Sequence, residues 1–116
     1  MGLSTAAARA ADLDRTLAAL ADPNRRLVVD LLRERPRRAG ELAEAAGLSA
    51  PAMSRHLRTL RRSGIIAESH PEADARVRLY RLRPEPMALL KDWLEQTEQM
   101  WTEQLATFKA HLEGGA

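Results

Sequence analysis

The stretch Glu41-Leu42-Ala43-Glu44-Ala45-Ala46-Gly47-Leu48-Ser49 constrains this chain more than any other. Its first six residues favour a helix, and Gly47 suits the left-handed conformation that ends one. Ser49 is placed to cap a second helix, with Pro51 in its first turn, where a missing N–H costs little. Two short helices, about 39–46 and about 50–63, must therefore meet across a sharp corner. Ala43 is small where they cross, and Leu48 plugs the corner. A short helix, a Gly-containing turn and a second amphipathic helix make a helix-turn-helix. The same corner also occurs inside ordinary cores, so the outer face of the second helix has to distinguish the two.

That face is basic. At about 100° per residue, Met53, Leu57 and Leu60 fall on one side of the helix. Opposite them lie Pro51, Arg55, Arg58, Thr59 and Arg62; Ser54 and Arg61 flank one edge, and Ala52, His56 and Ser63 the other. Outward Arg side chains on one helix repel one another unless a polyanion meets them. A helix of this kind fits the major groove of double-stranded DNA, where Arg reads guanine O6 and N7 and Ser donates or accepts. Its N-terminal half contacts bases in helix-turn-helix proteins. Ser54 and Arg55 are thus the base-reading candidates. Arg58 and Arg62 are phosphate candidates, which position without reading sequence. Ser49, at the helix start, joins the DNA-contact set. His56 stays open between packing, a phosphate and a base. Arg37 and Arg38 precede a helix N-terminus, which can hold a phosphate, or they lie in a solvated loop.

The rest of the chain is divided by Pro and Gly. A first helix is expected from about Thr5 to Leu20, capped by Ser4 or Thr5, with Leu13, Leu17 and Leu20 on one stripe. Asp22-Pro23 opens a second helix, whose face is Leu27, Val28, Leu31 and Leu32, and Pro36 ends it. After Gly64, Ile65 and Ile66 begin a strand. The stretch 70–75 is turn-prone. Arg76-Val77-Arg78-Leu79-Tyr80-Arg81-Leu82 alternates as a hairpin arm, with Arg76 and Arg78 on one face, suited to lie along the DNA backbone or minor groove. A long helix follows from about residue 86 to 112, roughly 40 Å. Two strands do not stand alone, so they must pack on the helices. The expected fold is mainly α with a small β-hairpin wing, a winged helix-turn-helix of order ααααββα. It forms one domain over residues 1–116, with the helix-turn-helix at about 39–63 and the wing at about 65–82.

Charge supports the basic face. Residues 33–83 carry twelve Arg against six carboxylates, a net of +6, whereas 84–116 carry a net of −4. Sixteen of the eighteen basic residues are Arg, the side chain suited to bidentate contacts with phosphate and guanine. Aromatics are 3%, too few for single-strand binding by base stacking. Without Cys there is no disulfide framework, thiolate zinc site or cysteine nucleophile, a composition that a reducing cytoplasm permits. No run approaches a membrane span, the Ala-rich start is interrupted by Arg9, Asp12 and Asp14, and Ala6 stands where a myristoylation site needs Ser or Thr. The last helix is apolar on two adjacent stripes, Leu90, Leu94, Trp101, Leu105, Phe108 and Leu112 beside Leu89, Trp93 and Met100. One stripe can face its own domain; the other asks for a second subunit.

In order and spacing, Ala21-Asp22-Pro23-Asn24-Arg25-Arg26, Gly40-Glu41-Leu42-Ala43, Gly47-Leu48-Ser49, Met53-Ser54-Arg55-His56-Leu57-Arg58-Thr59-Leu60 and Tyr80-Arg81-Leu82 resemble the ArsR family of bacterial winged-helix repressors. The resemblance covers about residues 13–112. It implies a cytoplasmic homodimer built from the first and last helices, at about 5–20 and 86–112, with Leu13, Leu17, Leu94, Trp101, Leu105 and Phe108 in the interface. It also implies an inverted-repeat promoter operator contacted by Ser54 and Arg55. Many members have Gln at the position of Ala50, so that base contact is absent here. Metal-sensing members place Cys pairs in the third helix or His and acids on the last. Here only His56, His70 and His111 occur, so neither metal nor other cofactor is expected. Trp93-Leu94 with Trp101 and an acidic last helix resemble the non-metal branch, often encoded beside SRPBCC (START-like) proteins. Three other readings stand beside this one, of which the last only adds a small molecule to it. One is a winged-helix interaction module without DNA binding, against which the basic block argues. Another is an enzyme, for which no catalytic constellation is visible. The third is a regulator with an effector site near Trp93 and Trp101.

Overall fold

The structure, a computed structural model, describes residues 2–70 and 76–114. Its elements follow the expected order: α1 (Gly2–Leu20), α2 (Pro23–Glu34), α3 (Ala39–Ala46), α4 (Ala50–Arg62), β1 (Ile66–Ser69), β2 (Leu79–Leu82) and α5 (Pro84–Gly114). Helix α2 begins where Asp22 accepts the amides of Asn24 and Arg25 at 2.8 and 3.1 Å, with Pro23 in the first turn. Gly47 ends α3 at φ 67, and Leu48 N–H then donates to the Ala43 carbonyl at 2.9 Å. Ser49 Oγ takes the Ala52 amide at 3.3 Å and starts α4. The corner thus stands on the residues that its sequence marks.

The core lies where α2, α3, α4 and β1 converge. Val28, Leu42, Leu60 and Ile65 have no exposed surface, and Met53, Leu57 and Ile66 have at most 2%. The wing is an antiparallel pair with Ile66 opposite Leu82 and Ser69 opposite Leu79. A third, one-residue rung joins it: Arg37 and Tyr80 exchange backbone hydrogen bonds of 3.1 and 2.8 Å. This rung ties the α2–α3 loop to β2.

Two boundaries differ from expectation by three residues, and α5 is two residues longer at each end than the expected 86–112. Helix α1 starts at Gly2 rather than at Thr5, because Ser and Thr are tolerated inside a helix that an alanine run carries on. Strand β2 starts at Leu79, so Arg76 and Arg78 lie in the arm before it and not on a shared strand face. The reason is length: β1 ends at Ser69, and its register with Leu79 leaves residues 76–78 no partner in that strand. The arm is held instead by His70, whose Nδ1–H donates to the Val77 carbonyl at 3.0 Å. Residues 71–75 of the turn-prone stretch lie outside the described residues, as do Gly115 and Ala116.

Helix α5 has 31 residues and none of them is buried. Its first turns pack on α1 and on the core through Met87, and Asp92 pairs with Arg9 of α1 at 4.0 Å. Its second half stands clear of the domain.

Gly40 inside α3 and Gly47 just past its end should respond in opposite senses. A Cβ on Gly47 meets no atom, but the positive φ remains, so Gly47→Ala should cost about 1–2 kcal/mol. Gly40 has ordinary helical backbone and open space, so Gly40→Ala should stabilise by about 0.5–1 kcal/mol. Urea midpoints at unchanged slope measure both.

Candidate nucleic-acid interface

Burial of Met53, Leu57 and Leu60 rotates α4 so that Ser54, Arg55, Arg58, Arg61 and Arg62 face outward, all exposed. Thr59 is half-buried, with its hydroxyl on the Arg55 carbonyl at 3.2 Å. Among the described residues Arg55, Arg58 and Arg62 have no carboxylate partner. Arg61 differs: it donates to Glu68 Oε1 at 2.8 Å, and the Tyr80 hydroxyl donates to the same oxygen at 3.2 Å. Burial, then the charge and hydrogen bond of Glu68, raises the Tyr80 phenol above its ordinary value.

His56 turns away from the Arg face. Its side chain is 20% exposed, with Nδ1 at 3.4 Å from Arg25 Nη1 and 4.0 Å from Asp22 Oδ1. Arg25 is itself anchored on the Ala19 carbonyl at 2.6 Å, so His56 joins α4 to the α1–α2 corner. Partial burial acts to raise the Asp22 carboxyl. The amides of Arg25 and Asn24, with the charges of His56 and Arg25, outweigh it and hold the group below its ordinary 3.8.

The loop before α3 sorts its two arginines. Arg37 is 15% exposed and donates to the Leu31 carbonyl at 3.1 Å and to Glu34 at 2.6 Å. Its guanidinium is committed to the fold. Arg38 is exposed, and its amide donates to Glu41 Oε1 at 3.4 Å. Glu41 also takes Arg35 at 3.0 Å; that hydrogen bond, followed by the Arg38 amide, lowers its pKa. A carboxylate therefore already occupies the first turn of α3. Arg76 and Arg78 are exposed on the wing arm, and Ser49 is exposed at the start of α4.

Exposed among the candidates are Arg38 before α3, Ser49 at the start of α4, Ser54, Arg55, Arg58 and Arg62 along it, and Arg76 and Arg78 on the wing arm; of these, Ser54, Arg58 and Arg78 line one notch. The side chains of Arg37 and His56 turn into the fold instead. Sequence reading missed Glu68, Tyr80 and Asp22, whose partners lie on other elements. A capping role for Asp22 was legible; its approach to His56 was not.

The apolar stripes of α5 are open. Leu94, Trp101, Leu105, Phe108 and Leu112 are each at least half exposed, with Leu17 of α1 less so, and Leu13 is half-buried. Leu13, Leu89 and Trp93 line a groove of about 400 Å³ between α1 and α5, which Trp101 does not reach. Among the described residues no three His, Cys, Asp or Glu side chains come together as a metal site.

Comparison with known proteins gives a consistent set of relatives. Residues 22–68 match the model of the family described as "Bacterial regulatory protein, arsR family". The chain is 36% identical over 95 residues to the HTH-type transcriptional regulator Rv2034 of Mycobacterium tuberculosis, covering 82% of this chain and 83% of that protein. It is 38% identical over 50 residues to the transcriptional repressor SdpR of Bacillus subtilis, covering 43% of this chain and 56% of that one. An ArsR-like transcriptional regulator from Rhodococcus sp. RHA1 superposes with a TM-score of 0.75 at 25% identity, over 90% of this chain and 93% of that one.

The lowered Asp22 pKa makes an acid-stability prediction. A group whose pKa is lower folded than unfolded stabilises the fold above its ordinary value and loses that contribution as pH falls through the folded one. Asp22→Asn keeps a capping oxygen but does not titrate. Between about pH 6 and pH 3 its urea midpoint should fall less than that of the unchanged chain. Parallel curves would show that Asp22 contributes nothing to acid sensitivity.

Proposed function

This chain belongs to the arsR family of bacterial regulatory proteins, and we propose that it works as a homodimeric repressor whose two α4 helices enter successive major grooves of an inverted-repeat operator. It is a DNA-binding transcriptional regulator. The observation that carries the finer reading is the outer face of α4, where Arg55, Arg58 and Arg62 have no carboxylate partner among the described residues. Unpaired guanidiniums around an exposed Ser on a rigid helix form a surface for phosphate and base edges, not for a neutral protein partner.

Position along α4 divides the roles. Ser54 and Arg55, in the N-terminal half, read bases; Arg58 and Arg62, one to two turns later, hold phosphates as the groove curves away. Ser49, Arg38, Arg76 and Arg78 extend the phosphate track on either side. Arg37 and His56 serve from behind: the first pins the loop to the wing, and the second seats α4 on the α1–α2 corner. No described helix is long and apolar enough to cross a membrane. A bacterial regulator bound to its operator acts in the cytoplasm.

The second subunit follows from α5. Contiguous exposed apolar side chains of this size mark an interaction face. A two-fold pairing of α5 and α1, with Leu94, Trp101, Leu105 and Phe108 facing their symmetry mates and Leu13 and Leu17 at its edge, covers that face with itself. Covering Leu and Phe side chains contributes about 1.5–3 kcal/mol each when complete.

Two measurements test this. Sedimentation equilibrium should return about twice the 12.9 kDa chain mass, and Trp101→Asp with Leu105→Asp should return a monomer that binds operator DNA weakly. A clean monomer of the unchanged chain would remove both the dimer and the inverted repeat. On the DNA side, Arg55→Ala should cost about 1–3 kcal/mol per contacted base pair and relax the preference at one position of each half-site. Arg62→Ala should weaken operator and scrambled DNA alike and reduce the salt slope by about 0.9 for each phosphate it no longer neutralises. The reverse pattern would place α4 differently in the groove.

A further inference from the structure

Between α4 and the wing lies a notch of about 170 Å³, lined by Ser54, Arg58, Arg61, Glu68, Arg78 and Tyr80. It is smaller than the ~300 Å³ at which small-molecule sites begin, and at ~30 Å³ per water it holds a group of a few heavy atoms. Three guanidiniums face one carboxylate, so the notch attracts an anion. Its charges are not equivalent. Glu68 already binds Arg61 at 2.8 Å and the Tyr80 hydroxyl at 3.2 Å, which fastens the wing to the end of α4. Arg58 and Arg78 are exposed and have no carboxylate partner among the described residues. They reach the notch from different elements, one from the helix and one from the wing arm.

We propose that this notch seats a single phosphate diester of the DNA backbone, clamped between Arg58 and Arg78, with Glu68 as the positioning residue that sets the spacing between helix and wing. The inference rests on the DNA-binding reading and deepens it: one phosphate is shared by the two elements, rather than each element holding its own. Two guanidiniums match the two unesterified oxygens of a diester, and the Ser54 hydroxyl is a further donor at the rim. An acid beside a DNA surface ordinarily weakens binding by repulsion. Here Glu68 is neutralised by Arg61, and its effect is geometric.

The test uses the full chain and an operator selected from a random DNA pool, with one neutral methylphosphonate placed at each backbone position in turn. One position per half-site should weaken binding by the unchanged chain about tenfold. In Arg58→Gln and in Arg78→Gln alike, the methylphosphonate at that same position should cost little further, since the partner charge is already gone. Arg78 lies in the arm outside the core, so its variant keeps the test sound if Arg58→Gln perturbs α4. Glu68→Gln keeps an acceptor for Tyr80 but loses the ion pair. It should bind scrambled DNA more tightly while the single-position penalty shrinks. Replacing chloride by orthophosphate at equal ionic strength should leave the affinity unchanged. Penalties of Arg58 and Arg78 on different phosphates would overturn the shared seat. A Glu68→Gln protein that tightens on all DNA with the penalty intact would overturn the positioning role, and selective displacement by orthophosphate would make the site one for the free anion. If the unchanged chain binds no DNA, the DNA-binding reading itself fails.

Discussion

Burial of Met53, Leu57 and Leu60 is the interaction on which the outward basic face of α4 depends. All three have at most 2% exposure. Each such side chain contributes about 1.5–3 kcal/mol when fully buried. Exposed like charges on the opposite face oppose this by about 1 kcal/mol or less per pair in water, and salt screens them further. Burial therefore wins, and α4 cannot roll to hide its arginines. The consequence is a rigid helix that holds a row of guanidiniums outward before any DNA arrives. His56 on Asp22 and Arg25, and Arg61 on Glu68, fasten the same helix from its two flanks.

The arginines separate into two classes once their partners are known. Arg25, Arg35, Arg37 and Arg61 hold carbonyls or carboxylates on neighbouring elements. Arg55, Arg58, Arg62 and Arg78 hold no carboxylate among the described residues. Together with the backbone rung between Arg37 and Tyr80, the first class brings the α2–α3 loop, α4 and the wing into a single unit, Arg61 on Glu68 joining helix and wing. The second class is presented by that unit. Electrostatic attraction to DNA is strong and salt-dependent but carries no sequence information. Discrimination depends on how rigidly a few side chains are aimed, and that rigidity comes from the first class.

Most of the element order was legible because local chemistry carries it. Asp22-Pro23, Gly47 and Ser49-Ala50-Pro51 are caps and stops whose physics acts within four residues, and the stripe of α4 follows from helical period alone. What local signals do not encode is pairing between distant residues. Nothing near Arg37 marks it as the rung opposite Tyr80, so its guanidinium read as a candidate for phosphate when it is held by Leu31 and Glu34. Glu68 read as one acid in a basic block, while the fold sets it between Arg61 of α4 and the Tyr80 hydroxyl of β2. The alternation from Arg76 onward suggested a longer strand than β1 can pair with. The exposed stripe of α5 was legible as an unsatisfied surface, since no other element is long enough to cover it.

The proposed dimer sets two copies of α4, each fixed by its own core and spaced by α5, one helical turn apart on DNA. Hydroxyl-radical footprinting on DNA selected by this chain tests it most directly. A two-fold dimer should leave two protected half-sites in inverted orientation, with centres about 10 base pairs apart or a multiple of that spacing. A single protected half-site, or two in direct repeat, would contradict it.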